Sequence, residues 1–249
     1  MAATGQRRVA LVAAAGDYAG PALARVLAAR SHDLVLGDPA PGLVAELEGG
    51  GATVVAVDGV TDLADESSAS RLVGAAIDRF GRVDAATMAS GAIVTGRFAD
   101  ADVADLHRAL RGCIEAPFRF LKAVVPAMVA AGGGQVLVQT SASGARATPG
   151  APLYSAARAG ANHLVRNVAD EVARHGVQVN AVGTNFMDFP GFLRASRAET
   201  PEGRARVEAL VPMRRLGTME EFAAFCAVFL DGTSGFTTGQ FVPYAGGWA

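Results

Sequence analysis

Cysteine is nearly absent from this chain. Only Cys113 and Cys226 occur among 249 residues, each inside an apolar helical stretch, so two buried thiols are expected rather than a disulfide, and a reducing compartment, the cytoplasm, follows. Charge is also sparse: 18% of residues are charged, the formal net charge is -2, and no run of like charges appears. That excludes a nucleic-acid groove and an acidic tail, and leaves work on small molecules. His32, His107, His163 and His175 are scattered without acidic or Cys partners at ligand spacing, so no metal site is expected. Long apolar runs are missing too. Val9 to Ala15, preceded by Arg7 and Arg8, is too short to span a membrane, lacks a cleavage context, and reads as a buried first strand.

What the chain has in quantity is apolar residues, at 51%, enough for one sizeable core and a single domain over 1–249. Short Val- and Ala-rich runs alternate with longer amphipathic stretches. Strands are expected near 8–14, 33–37, 52–57, 83–89, 134–140, 177–183 and 239–245, with helices between. The strands are continuously apolar rather than alternating, which implies a parallel sheet covered on both faces, a doubly wound seven-stranded α/β fold. Punctuation agrees: Gly132-Gly133-Gly134 closes a long helix at about 113–131, and His175-Gly176 closes the next. One irregular stretch, Thr184 to about Thr200, is long for a compact domain. Its Phe186, Phe189 and Phe192 point to an ordered pocket wall.

Ligands of open α/β sheets bind at the carboxyl ends of the strands, and Ser141 ends the fifth. Thirteen residues on, Pro152-Leu153-Tyr154 opens a helix that carries Arg158 one turn later. A fixed cation four residues after a tyrosine on one helix face favours the phenolate, and Arg cannot surrender its charge as a desolvated Lys can. A Ser, a Tyr and a cation in this order, on this succession of elements, resemble the short-chain dehydrogenase/reductase superfamily over nearly the whole chain, which implies a Rossmann-like fold.

The departures from that family are as informative. Its T-G-x-x-x-G-x-G turn falls on Ala13, Ala14, Ala15, Gly16, Asp17, Tyr18, Ala19 and Gly20, so two of three glycines are lost where backbone should meet a pyrophosphate. The family's N-N-A-G reads Met88-Ala89-Ser90-Gly91, its helix asparagine falls on Cys113, and its P-G after the sixth strand reads Thr184-Asn185. Asp38 and Asp58 still stand where a ribose and an adenine would be met.

Ser141, Tyr154, Arg158, the aromatic at 18, the Gly183-Thr184-Asn185-Phe186-Met187 segment and the C-terminal Tyr244-Ala245-Gly246-Gly247-Trp248 together resemble halohydrin dehalogenases, cofactor-free relatives of the reductases. That family usually has Pro where Thr184 stands. The resemblance implies closure of a vicinal haloalcohol to an epoxide with no cofactor: Tyr154 as base, Ser141 on the substrate oxygen and Arg158 beside the phenol. Departing halide would meet Tyr18, Thr184, Asn185, Phe186 and Met187. Phe189, Phe192 and Trp248 would line the substrate pocket. Azide, cyanide or nitrite would open epoxides in reverse. The superfamily resemblance further implies a homotetramer, with the Tyr154 helix and the long one at about 113–131 forming one dimer face; the small residues Ala156, Ala157, Ala159, Gly160 and Ala161 suit such a helix contact or core packing equally, and the Trp248 tail is expected to reach toward a neighbouring subunit's pocket. Two alternatives stand beside this reading: a nicotinamide-dependent carbonyl reductase, and a non-catalytic ligand-binding relative.

Overall fold

The computed structural model describes residues 7–89 and 91–249, so Ser90 of the Met88–Gly91 stretch and residues 1–6 lie outside the described residues. The first strand, β1 (Arg8–Val12), shows why its sequence is unbroken by polar residues: Leu11 faces one apolar layer, Ala10 and Val12 the other, and all three are buried. Around it are β2 (His32–Gly37), β3 (Val54–Val57), β4 (Ala85–Ala89), β5 (Gly134–Ser141), β6 (Val177–Thr184) and β7 (Phe241–Tyr244), each within a few residues of its expected place. They form one parallel sheet in the order β3-β2-β1-β4-β5-β6-β7. The chain reverses direction across the sheet between β1 and β4, and that switch opens a crevice at their carboxyl ends.

Helices cover both faces. On one side α1 (Gly20–Ala29), α2 (Leu43–Gly49) and α9 (Met219–Ala227) pack Leu23, Leu27 and Phe222 against Leu34, Leu36, Leu137 and Val182. On the other, α3 (Ser68–Phe80), α5 (Ala116–Ala130) and α6 (Pro152–Val172) pack Leu72, Phe120, Val124 and Val165 against Leu11, Val136, Val138 and Val179. The helix α4 (Val103–Leu110) runs into α5 through a wider π turn at Arg111–Glu115, so the expected helix near 113–131 begins earlier, on a different winding. Gly132 and Gly176 take the left-handed φ values of 83° and 75° that end the two long helical segments, as their positions predicted. The stretch after β6 is less irregular than expected: Pro190, suited to a first helical turn, starts α7 (Pro190–Ser196), and Thr200 caps α8 (Pro201–Glu208). Both cysteines are buried free thiols. No helix among the described residues is long and apolar enough to cross a membrane.

The amino ends of the strands are braced by one half-buried cation. Arg8 donates to the Asp84 carbonyl at 3.3 Å, Gln135 Oε1 at 3.0 Å, the Leu230 carbonyl at 3.2 Å and His32 Nε2 at 3.2 Å. Because Nε2 of the fully buried His32 accepts, its Nδ1 carries the proton, 3.0 Å from the Leu27 carbonyl. Burial, and then the Arg8 charge, depress the His32 pKa. The unfolded chain therefore binds this proton first, and folding loses stability as pH falls. Denaturant midpoints should be level above about pH 7 and decline below about pH 6.5, with a shallower decline in His32→Gln. An unchanged slope in that variant would assign the titration elsewhere.

Candidate active site

Ser141 closes β5 with its side chain at the crevice end of the sheet. Its Oγ donates to the Thr184 carbonyl of β6 at 3.3 Å and accepts from the Ser143 N–H at 3.1 Å, capping a short turn at Ala142–Ala145. That turn leans directly on α6. A Cβ at Gly144 would stand 2.6 Å from Asn162 Nδ2 and 2.8 Å from the Arg158 carbonyl carbon, so only glycine allows the approach. Two further hydroxyls fix the register: Ser155 Oγ shares its hydrogen between the carbonyls of Ser143 at 2.7 Å and Arg146 at 3.0 Å, and Thr140 Oγ1 donates to Asn162 Oδ1 at 2.8 Å.

On the helix so anchored, Tyr154 lies in the first turn and Arg158 in the next, both buried at 8% and 4% exposure. The guanidinium carbon is 5.1 Å from the Tyr154 ring centroid, within cation–π range. Gly91, in the loop after β4, lies flat against the same guanidinium, and a Cβ there would overlap Arg158 Nη2. Tyr154 and Arg158 thus stack on successive turns of α6, and the turn that Ser141 caps at the end of β5 packs against the same helix.

The aromatic segment assembles differently from the expectation. Tyr18, with a left-handed φ of 51°, reaches from the turn after β1 to the end of β6, where its hydroxyl is 2.6 Å from Thr184 Oγ1. Its ring meets Phe189 edge-on at 5.0 Å and Phe222 of α9 at 5.9 Å. Burial pushes its pKa up, outweighing the Thr184 bond, so this phenol stays neutral. The Phe186 N–H, expected to face a bound anion, instead donates to Asn185 Oδ1 at 2.9 Å, and the Phe186 carbonyl accepts from the Gly217 N–H at 3.0 Å. Met187 is buried against Gly217. Phe186, Phe192 and Trp248 form an edge-to-face cluster at 5.9 and 5.5 Å, and the Trp248 carbonyl accepts from Arg146 at 2.8 Å. Within the chain, the tail is thereby folded onto Phe186 and Arg146.

Sequence reasoning missed Gly91, Gly144, Ser155, Asn162 and Phe222. Only Gly91 carried a signal, as the one residue kept from the family's loop after β4.

The whole-chain comparisons decide among the readings. Residues 19–249 match the family described as enoyl-(acyl carrier protein) reductase. Cis-4-hydroxycyclohexanecarboxylate dehydrogenase of Sinomonas cyclohexanicum is 31% identical, covering 97% of this chain and 96% of its own. The (2S)-[(R)-hydroxy(phenyl)methyl]succinyl-CoA dehydrogenase subunit of Thauera aromatica is 33% identical, covering 96% and 94%. This chain belongs to the short-chain dehydrogenase/reductase superfamily. Among solved structures, 7α-hydroxysteroid dehydrogenase complexed with NADH and 7-oxo glycochenodeoxycholic acid is 26% identical with a TM-score of 0.86, covering 97% and 94%.

These relatives overturn the expected cofactor-free haloalcohol lyase. The chain is an enzyme of a superfamily whose matched members are dehydrogenases and oxidoreductases. With dehalogenation goes the halide role expected for Tyr18, Thr184, Asn185, Phe186 and Met187, whose nest already lacks the Phe186 N–H.

The superfamily's nicotinamide dinucleotide can be tested against the residues in place. Gly16 and Gly20 are spent on backbone packing: a Cβ on the first would overlap the Asp38 carbonyl oxygen, and on the second that of Ala14. Asp38, the ribose candidate, accepts from the N–H groups of Gly59 at 2.6 Å and Val60 at 2.8 Å and from Thr61 Oγ1 at 2.6 Å. Although burial opposes it, these bonds hold its carboxyl below the usual range. Where the family's motif has its second glycine, the Tyr18 side chain bonds Thr184 and packs on Phe189 and Phe222. As placed, these residues do not fit a dinucleotide.

Arg158 and Gly91 supply the first test of this geometry. Gly91→Ala adds a methyl group onto the guanidinium at a φ of 136°, which L residues rarely adopt. It should destabilise the fold by about 1–3 kcal/mol, read as a lower urea midpoint. A midpoint equal to that of the unaltered protein would mean that loop and guanidinium are not in contact.

Proposed function

We propose that this enzyme interconverts a secondary alcohol and its ketone, with Ser141, Tyr154 and Arg158 managing the proton at the substrate oxygen. The observation that carries the reading is the joint anchoring of Ser141 and of the Tyr154 helix at the carboxyl end of β5, beside the switch-point crevice. In the oxidation direction the phenol oxygen takes the hydroxyl proton as general base, and Ser141 donates to the same substrate oxygen. Arg158 keeps a fixed positive charge against the Tyr154 ring, where loss of that proton leaves negative charge. In the reduction direction Tyr154 returns the proton to the carbonyl oxygen. These residues carry the proton half of the reaction; none of them accepts electrons.

The aromatic wall of Phe186, Phe192 and Trp248 favours an apolar, ring-bearing alcohol, in keeping with the cyclohexane and steroid dehydrogenases among the relatives. Phe189 joins this wall to Tyr18, meeting Phe192 at 6.5 Å and Tyr18 at 5.0 Å. The two unpaired thiols support residence in the cytoplasm.

We propose also that the chain assembles as a homotetramer. Ala157 and Ala161 are buried in their own core, whereas Ala156, Ala159 and Gly160 face outward on α6, and Phe118 of α5 is 51% exposed. A large apolar residue left open beside small ones suits a second copy of the same helices.

Two measurements check these proposals. Tyr154→Phe should lower alcohol oxidation, followed as reduction of added NAD or NADP, by roughly a hundred- to ten-thousand-fold while leaving the melting curve intact. Full activity in that variant would remove Tyr154 as the base, and halide release from a vicinal bromoalcohol with no change in nicotinamide absorbance would overturn the oxidoreductase reading. Phe118→Arg should shift the mass measured by light scattering from tetramer to a smaller species; an unchanged mass rejects this face as an interface.

A further inference from the structure

Arg146 joins the two halves of the proposed substrate pocket. Its backbone leaves the short turn after Ser141 in an extended conformation, at φ -153° and ψ 164°, and its carbonyl accepts from Ser155, the neighbour of Tyr154. Its side chain reaches the other half. There the guanidinium carbon lies 4.7 Å from the Trp248 ring centroid, and Nη1 donates to the Trp248 carbonyl at 2.8 Å. The same indole meets Phe186 edge-to-face, and Phe186 meets Phe192. An exposed cation is thus stretched from the Ser141 turn to the aromatic wall, at the rim of the site. A carbonyl oxygen and an indole face orient that cation, but neither carries a counter-charge. Among the described residues no carboxylate lies within ion-pair distance of Arg146. The acids Asp188, after β6, and Glu221, on α9, are held by Arg204 and Arg215. A guanidinium is weakly hydrated, its planar fork matches a carboxylate in parallel bonds, and one already held against a ring loses little freedom on binding.

We infer that Arg146 anchors an anion subsite at the mouth of the pocket, and that the substrate is a ring-bearing secondary alcohol with a carboxylate at the end remote from its hydroxyl. The inference rests on the alcohol–ketone reading and narrows it: Ser141 and Tyr154 take the hydroxyl, the aromatic wall takes the ring, and Arg146 takes the carboxylate. The acid accepts from guanidinium nitrogens other than Nη1, so one cation holds both the tail and the substrate. Arg146 touches no reacting atom. It determines which alcohol binds and how it is aligned.

The test is a binding titration that needs no turnover. The probes are 4-(1-hydroxyethyl)cyclohexanecarboxylate and the matching carboxamide, which has the same shape without the charge. Binding is read by calorimetry and by the emission of Trp248, the single tryptophan of the chain, which lies under the guanidinium. The carboxylate should bind about fivefold to thirtyfold tighter than the carboxamide. Arg146→Met keeps an unbranched chain without the charge and should bring the two Kd values within about twofold of each other. Arg146→Lys keeps the charge without the fork and should retain about a threefold preference. In the unaltered protein, added salt should weaken the carboxylate and spare the carboxamide, a measurement that needs no variant to fold. Equal affinities in the unaltered protein, or a preference that survives in Arg146→Met, would overturn the subsite. Tight, salt-sensitive binding of the carboxylate with no oxidation by added NAD or NADP would uphold the subsite and sink the proposed reaction. Oxidation of both probes with equal Kd values would do the reverse, so the two failures are told apart.

Discussion

A guanidinium taken almost entirely out of water is the constraint around which the site is built. Transfer of such a charge from solvent is expensive unless its surroundings are shaped for it. Around Arg158 that shaping is visible in three places: a glycine at 91 that lies flat on the fork, a glycine at 144 that lets the Ser141 turn approach the helix, and the face of Tyr154. Moving any of the three would leave the charge in a poorly fitted cavity. The same packing that pays for burying the cation therefore fixes where the serine and the phenol stand.

The opposite side of the crevice follows a different logic. Tyr18, Phe189 and Phe222 fill by aromatic contact a region that, in dinucleotide-binding folds generally, a glycine-rich turn leaves to backbone and phosphate. Filling it required no change to the sheet, since the strand order and the buried faces of β1 are those of a dinucleotide-binding fold. Two parts of one cleft thus respond to unrelated physical demands, one to a buried charge and one to a ring.

Much of this was legible in the chain itself. The strands could be read because burial on both faces leaves unbroken apolar runs, as in Val9–Val12, and because glycines at 132 and 176 mark helix ends through their backbone freedom. The place of Ser141 at the end of β5 and of Tyr154 and Arg158 one turn apart on α6 was legible because that spacing is local. What escaped was non-local or competitive. The helix α7 was hidden by its shortness and by the aromatic residues before it. The Asn185 side chain takes the Phe186 N–H that seemed free for an anion, a choice no spacing rule reveals. The reaction was misread because two missing glycines in one turn were weighed above resemblance spread over the whole sheet, and the dehydrogenases matched along nearly the full chain reverse that weighting.

The Arg8 brace lies at the amino ends of β1, β2, β4 and β5, as far along the strands as the sheet allows from Ser141 and Thr184. Register is thereby secured from below, and the loops above are released from structural duty. A scaffold divided in this way tolerates wholesale replacement of its upper rim, so that segments such as 184–200 can be exchanged for others of different length or polarity without disturbing the sheet and the helices on its two faces.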